Sequence, residues 1–201
     1  MKLKQLFVTI CCVFLLLFTS NIFGQNNKTY KVQTLLNRSM PLFSATDITG
    51  KYYDAKRFKN KVIFINFWFL DCPPCIQELK QLSDLYKNYS TNPNVVFISI
   101  NFYKTKDIKS FISTSDTLEV GGKIRTHYKK FLSFNNLIQY PIISSTDKKI
   151  EKLYKIEAWP TSLIIDKKGI IRLINIGLKL DEPDNYLFAM YSKKMDELLA
   201  K

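Results

Sequence analysis

Two cysteines, Cys72 and Cys75, flank Pro73 and Pro74. An apolar run, Val62 to Leu70, precedes them and a helical pattern, Ile76 to Tyr89, follows. The pair therefore falls where a strand ends and a helix begins. With Cys72 as the N-cap, the prolines take the first two helical positions, where a missing N–H costs nothing. An N-cap side chain accepts from the second or third helical N–H. Pro74 has no N–H, so that of Cys75 is aimed at the Cys72 sulfur. This hydrogen bond and the helix dipole favour thiolate over thiol. One helical turn also brings both sulfurs within disulfide reach. These residues make a reactive dithiol.

Blander chemistries fit less well. A structural zinc site needs about four ligands. The other cysteines, Cys11 and Cys12, lie in an apolar leader, and His127 is the single histidine. Haem attachment needs histidine directly after the second cysteine, where Ile76 stands. A purely structural disulfide across so short a span closes almost no loop and stabilises little. Dithiol chemistry needs nothing beyond the two sulfurs, so no metal and no cofactor is expected.

The elements around the dithiol form an α/β pattern. The strand Val62–Phe69 is too apolar to alternate and reads as buried on both faces. The helix after it aligns Leu79, Leu82, Leu85 and Tyr86, and Asn92-Pro93-Asn94 stops it. Val95–Ile100 is a second buried strand, giving a right-handed βαβ unit with a parallel sheet. Active groups in such sheets gather at the carboxyl ends of strands, and Cys72 sits just past one. Pro41-Leu42-Phe43 and the turn residues Asp47 and Gly50 read as a short hairpin. Asp107 to Ser113 reads as a short helix and Ser115 to Ile138 as the least legible stretch, with Gly121-Gly122 and a helical pattern from Ile124 to Leu132. Tyr140-Pro141-Ile142-Ile143 reads as a strand and Lys148 to Tyr154 as a helix. Ala158 to Asp166 and Ile170 to Ile176 form a hairpin, and Asp184 caps a final helix through Leu198.

The first 24 residues have the pattern of a signal peptide, with Lys2 and Lys4 ahead of an apolar core from Leu6 to Phe18. That core falls short of the roughly 18–20 residues of a membrane span. Ser20, Asn21 and Gly24 offer a small, polar exit, with cleavage after Gly24. An uncleaved leader would instead anchor the chain to the membrane, facing the periplasm. Residues 25–39 are polar and read as a loose lead-in to one domain, residues 40–201. Export with the dithiol alone argues against a disulfide scaffold. The formal charge is +13. Its lysines are scattered, with no nucleic-acid motif, so the chain has the surface of a solvated basic protein with weak attraction to anionic membranes.

Asn66-Phe67-Trp68 followed by Cys72-Pro73-Pro74-Cys75 resembles the thioredoxin superfamily, and within it the extracytoplasmic TlpA/ResA-type branch, from about Met40 to Ile176. The resemblance implies a thioredoxin-like fold: a mixed central sheet flanked by helices, an N-terminal hairpin, and here an insertion at about 115–138 ahead of the strand with the cis-proline. It implies a periplasmic thiol–disulfide oxidoreductase that reduces partner proteins and is recharged by a membrane thiol donor. Cytochrome c maturation is one role of the branch. Pro160 resembles the family's cis-proline, with the Trp159 backbone beside it as the edge on which a substrate peptide docks. Glu78, one turn past Cys75, matches a glutamate that such motifs carry as a partly buried acid/base, able to take the proton of Cys75. The alternative for Glu78 is a solvated helix residue. Asn66 stands where thioredoxins proper keep a buried aspartate, and Lys80 where relatives often carry a helix-kinking proline.

Asp71 departs from the family, which usually has an aromatic residue before the first cysteine. A carboxylate there destabilises the adjacent thiolate and makes the pair a better reductant, unless it points to water. No catalytic role is expected for His127. A peroxidase of the same superfamily would show threonine three residues before its cysteine, where this chain has Phe69. A non-catalytic binding module would have no need of both thiols.

Overall fold

Residues 29–113, 119–128, 138–178 and 182–201 are described by the computed structural model. The leader and parts of the 115–138 stretch lie outside the described residues. In chain order the elements are β1 (Ala45–Thr46), β2 (Tyr52–Tyr53), α1 (Ala55–Phe58), β3 (Val62–Trp68), α2 (Pro73–Tyr89), β4 (Val95–Asn101) and α3 (Thr105–Ile112). They continue with α4 (Val120–His127), β5 (Ile142–Ser144), α5 (Lys149–Leu153), β6 (Thr161–Ile165), β7 (Ile171–Ile176) and α6 (Tyr186–Leu199).

Every residue of β3 is buried, as its unbroken apolar run requires. It is the middle strand of a mixed sheet in the order β5-β4-β3-β6-β7. β3, β4 and β5 run parallel, while β6 is antiparallel to β3 and β7 to β6. The α2 crossover between β3 and β4 is the expected βαβ unit.

Side chains of β3 alternate between two cores. Val62, Phe64 and Trp68 join Leu79, Leu82 and Leu85 of α2 and Tyr191 and Met195 of α6. Ile63, Ile65 and Phe67 join Val32, Tyr53, Phe58 and Tyr154 on the other face. Asn66 has the parity of Phe64 and Trp68, so this polar residue enters the α2 side. The Tyr89 hydroxyl donates to Asp196 Oδ1 at 2.6 Å and ties α2 to α6. Lys80 pairs with Asp84 at 2.9 Å, and α2 runs unbroken through that position.

Several elements differ from the sequence expectation. The lead-in is not loose from residue 30 onward: Lys31–Leu35 form a 3-10 turn that buries Val32. Beyond the turn, Asn37 N–H donates to the Ile171 carbonyl at 2.8 Å. The hairpin's first strand is Ala45–Thr46, because Phe43 plugs a gap between Phe58 and Tyr154 at ring separations of 5.4 and 6.0 Å. β5 begins two residues late because Tyr140 packs its ring on Phe97 at 5.2 Å. Asn185, not Asp184, holds the N-cap place of α6, without a side-chain bond.

Helix α4 starts four residues earlier than its periodicity suggests and includes both glycines. Glycine weakens a helix interior, but here it permits contact. A Cβ on Gly121 would lie 1.7 Å from the Asp107 carbonyl oxygen, so only glycine lets α4 press against α3.

Candidate active site

Cys72 caps α2, with Pro73 and Pro74 next, and the Cys75 N–H donates to Cys72 Sγ at 3.3 Å. The cap derived from the sequence is the cap the chain adopts. Cys72 and Cys75 are joined in a disulfide. Cys75 is fully buried, and Cys72 is 3% exposed. Any partner reaches the pair through Cys72.

Phe67 is paired in register with Thr161, which brings the start of β6 beside the loop leading to Cys72. The Trp159–Pro160 peptide bond there is cis, as the resemblance implies. Trp159 sets its ring edge-on to Phe69 at 5.9 Å and to Phe102 at 6.0 Å. Phe69 and Phe102 lie 5.0 Å apart. Lys148 Nζ lies 4.1 Å from the centre of the Phe102 ring. Phe69 therefore builds an aromatic wall where a peroxidase would need a hydroxyl.

Glu78 is buried, at 1% exposure, so it is neither solvated nor partly covered. Asn66 Nδ2 donates to Glu78 Oε1 at 2.8 Å and to Ser162 Oγ at 3.0 Å. Burial pushes the Glu78 carboxyl up to about 8, against the smaller opposing effect of the Asn66 hydrogen bond. A carboxyl that titrates near neutrality, one turn from a buried cysteine, is suited to accept and return a proton.

Asp71 is exposed, yet it is not simply turned to water: the Tyr128 hydroxyl donates to its Oδ1 at 3.0 Å. Its negative charge also helps to push up the phenol of Tyr103, after burial. His127 lies in the last turn of α4, and its neighbour Tyr128 makes the contact. Among the described residues, no group of three or more histidine, cysteine, aspartate or glutamate side chains is placed to hold a metal ion.

Sequence reasoning gave Asn66 no role and missed Ser162 and Tyr128. Asn66 is a polar interruption in an apolar strand, which is a usable signal. Ser162 is likewise a polar residue in the buried strand after Pro160. Nothing in the sequence connects Tyr128 to Asp71.

A five-stranded mixed sheet and a capped Cys-Pro-Pro-Cys helix, with Pro160 just ahead of the neighbouring strand β6, define a thioredoxin-like thiol–disulfide oxidoreductase. The chain belongs to the AhpC/TSA family, whose model matches residues 36–174. It is similar to the thiol-disulfide oxidoreductase ResA of Bacillus thuringiensis, 27% identical over 154 residues and covering 76% of each chain. The thioredoxin-like protein YneN of Bacillus subtilis is 27% identical over 180 residues, covering 87% of this chain and 91% of that protein. A secreted disulfide oxidoreductase of Mycobacterium tuberculosis, homologous to E. coli DsbE, shares the fold at a TM-score of 0.52. Its identity is 19%, over 75% of this chain and 95% of that one. A thiol-disulfide oxidoreductase of Bacteroides fragilis shares it at a TM-score of 0.51 and 20% identity, over 78% of this chain and 99% of that one.

Proposed function

We propose that this protein is exported to the periplasm and reduces disulfides in partner proteins. The observation that carries the disulfide chemistry of this reading is the Cys72 sulfur at the α2 terminus, accepting the Cys75 N–H, with a buried carboxyl one turn further on. Export rests on the signal-peptide pattern of residues 1–24. In the reduced protein the Cys72 thiolate attacks one sulfur of a partner disulfide. The other partner sulfur leaves as a thiolate and takes a proton, and a mixed disulfide remains. Glu78 takes the Cys75 proton as Cys75 attacks Cys72. The partner leaves fully reduced, and the protein is left with its own disulfide.

Two electrons have passed to the partner, so a thiol donor must return them before the next cycle. A membrane-embedded thiol carrier suits a protein exported by the leader of residues 1–24. The Trp159 backbone before Pro160 offers an edge for an extended client segment, and the rings of Phe69, Phe102 and Trp159 flank it. Clients of cytochrome c maturation fall within this chemistry.

Trapping tests the reading. Cys75→Ser leaves the first attack intact and removes the second, so disulfide-linked partners should accumulate on Cys72. Turnover of a protein disulfide with a thiol donor should require both cysteines. Retained turnover in Cys72→Ala would overturn the mechanism.

A further inference from the structure

The amide that meets Glu78 is itself held in one orientation. An amide nitrogen has two hydrogens, and both of those on Asn66 Nδ2 are engaged, one on Glu78 Oε1 and one on Ser162 Oγ. Ser162 lies opposite Asn66 in the β3–β6 register, so backbone pairing fixes the acceptor beside the donor. The Ser162 hydroxyl is hydrogen-bonded to the Tyr191 phenol, which accepts from Asn175 Nδ2 at 3.0 Å. The bond counters the upward push on the phenol, so Ser162 donates it; its proton is spent on Tyr191 and only its lone pairs are left to meet Asn66. Asn66 Oδ1 and Glu78 Oε2 have no hydrogen-bond partner.

The two faces of an amide treat a carboxyl group differently. Its nitrogen donates, and so supports a carboxylate or the accepting oxygen of a neutral acid. Its oxygen only accepts, and so supports the neutral acid alone. Turned over, Asn66 would point Oδ1 at both Glu78 and Ser162. The choice between the two orientations therefore sets how easily Glu78 gives up its proton. The titratable groups facing Glu78 are the phenols of Tyr140, ahead of β5, and Tyr191, in α6, both pushed up by burial. The Cys75 thiol of the reduced protein lies one turn back on α2.

We propose that Ser162 is a positioning residue for Glu78. By accepting one hydrogen of the Asn66 amide, it keeps the amide nitrogen turned to Oε1, favours release of the Glu78 proton, and leaves Oε2 as the oxygen that carries it. The functional consequence rests on the proton-relay reading of Glu78 above. The effect on the proton itself rests on the hydrogen bonds alone.

The experiment is a direct titration of the Glu78 carboxyl in the oxidised full chain, by carbon NMR with labelled glutamate, assigned with Glu78→Gln. Ser162→Ala removes the acceptor and frees the amide to turn, so the titration should move to higher pH. At a pH within the parent's titration, the ratio of ionised to protonated Glu78 should fall at least about threefold, the effect of weakening one hydrogen bond to a charged group. Ser162→Thr keeps the hydroxyl and should restore the parent curve. An unmoved curve in Ser162→Ala overturns the proposal, as does an equal shift in Ser162→Thr, which would trace the effect to packing. Resolution of a trapped mixed disulfide separates the two readings. If Ser162→Ala moves the titration but Glu78→Gln resolves at the parent rate, the relay fails and the positioning stands. If Glu78→Gln slows resolution while Ser162→Ala leaves the titration in place, the positioning fails and the relay stands.

Discussion

The Tyr128 hydroxyl donates to Asp71 Oδ1 at 3.0 Å, across 57 residues of sequence. The end of α4 is thereby fastened to the residue immediately before Cys72. Asp71 stands where the resemblance implies an aromatic residue, and Tyr128 holds its carboxylate. A charge beside a developing thiolate raises the free energy of the reduced, ionised pair. Asp71→Asn should therefore ionise Cys72 at lower pH, by a few-fold in thiolate fraction, and make the couple more oxidising. Thiolate absorbance across pH and redox equilibration against glutathione measure the two effects. Tyr128→Phe should change both in the parent protein and neither in the Asp71→Asn variant. An equal response in the two backgrounds would show that the contact carries no electrostatic influence.

Gly121 makes that contact possible. A methyl group there would meet the Asp107 carbonyl oxygen at 1.7 Å, inside any tolerable separation. Gly121→Ala should push α4 away from α3 and loosen Tyr128, at a cost of roughly 1–3 kcal/mol. Hydrogen exchange should accelerate over residues 120–128 while β3 and α2 keep their protection. Unchanged exchange in α4 would mean that the two helices part and re-pack without loss.

The dithiol and its cap were legible in the sequence because they are local: four consecutive residues and the helix rule for prolines determine them. The sheet followed from two apolar runs and the helix between them. The surroundings of Glu78 were not legible. Its donor Asn66 is 12 residues away, and the serine that shares that donor is 96 residues from it. Only the β3–β6 register brings them together, and register is a tertiary outcome. Phe43 misled in the opposite sense, since an apolar residue before a turn suggests a strand, whereas here it fills a gap between Phe58 and Tyr154. Val32 gave no periodic signal at all, because a single buried side chain is enough to dock a 3-10 turn.

Glu78 also makes stability depend on pH. Its folded value, about 8, lies above the ordinary carboxyl value of 4.5. Below the ordinary value both folded and unfolded chains are protonated here, and the full stability is present. As the pH rises from about 4.5 to about 8, the unfolded chain loses this proton and the folded chain keeps it, so stability falls. Glu78→Gln has no proton to lose. Relative to the parent, the oxidised variant should gain by a few kcal/mol between about pH 5 and about pH 8. Urea unfolding at the two pH values measures the gap. A gap that does not widen would mean that Glu78 ionises as freely in the fold as outside it.

The kinetic consequence of the same burial concerns the second half of the cycle. In the proposed cycle, attack by Cys72 on a partner needs no base, because the helix terminus and the Cys75 N–H favour its thiolate. Cys75 is fully buried, and a buried thiol must lose its proton before it can attack. Glu78→Gln removes the base with little change of volume. Formation of the mixed disulfide should continue at the parent rate, while its resolution slows by about 10²-fold, the low end for a positioned base. The intermediate should accumulate in single-turnover reactions quenched with acid, most clearly at neutral pH. Raising the pH should recover the rate, as hydroxide takes over the proton. Resolution at the parent rate across the whole pH range would remove Glu78 from the mechanism.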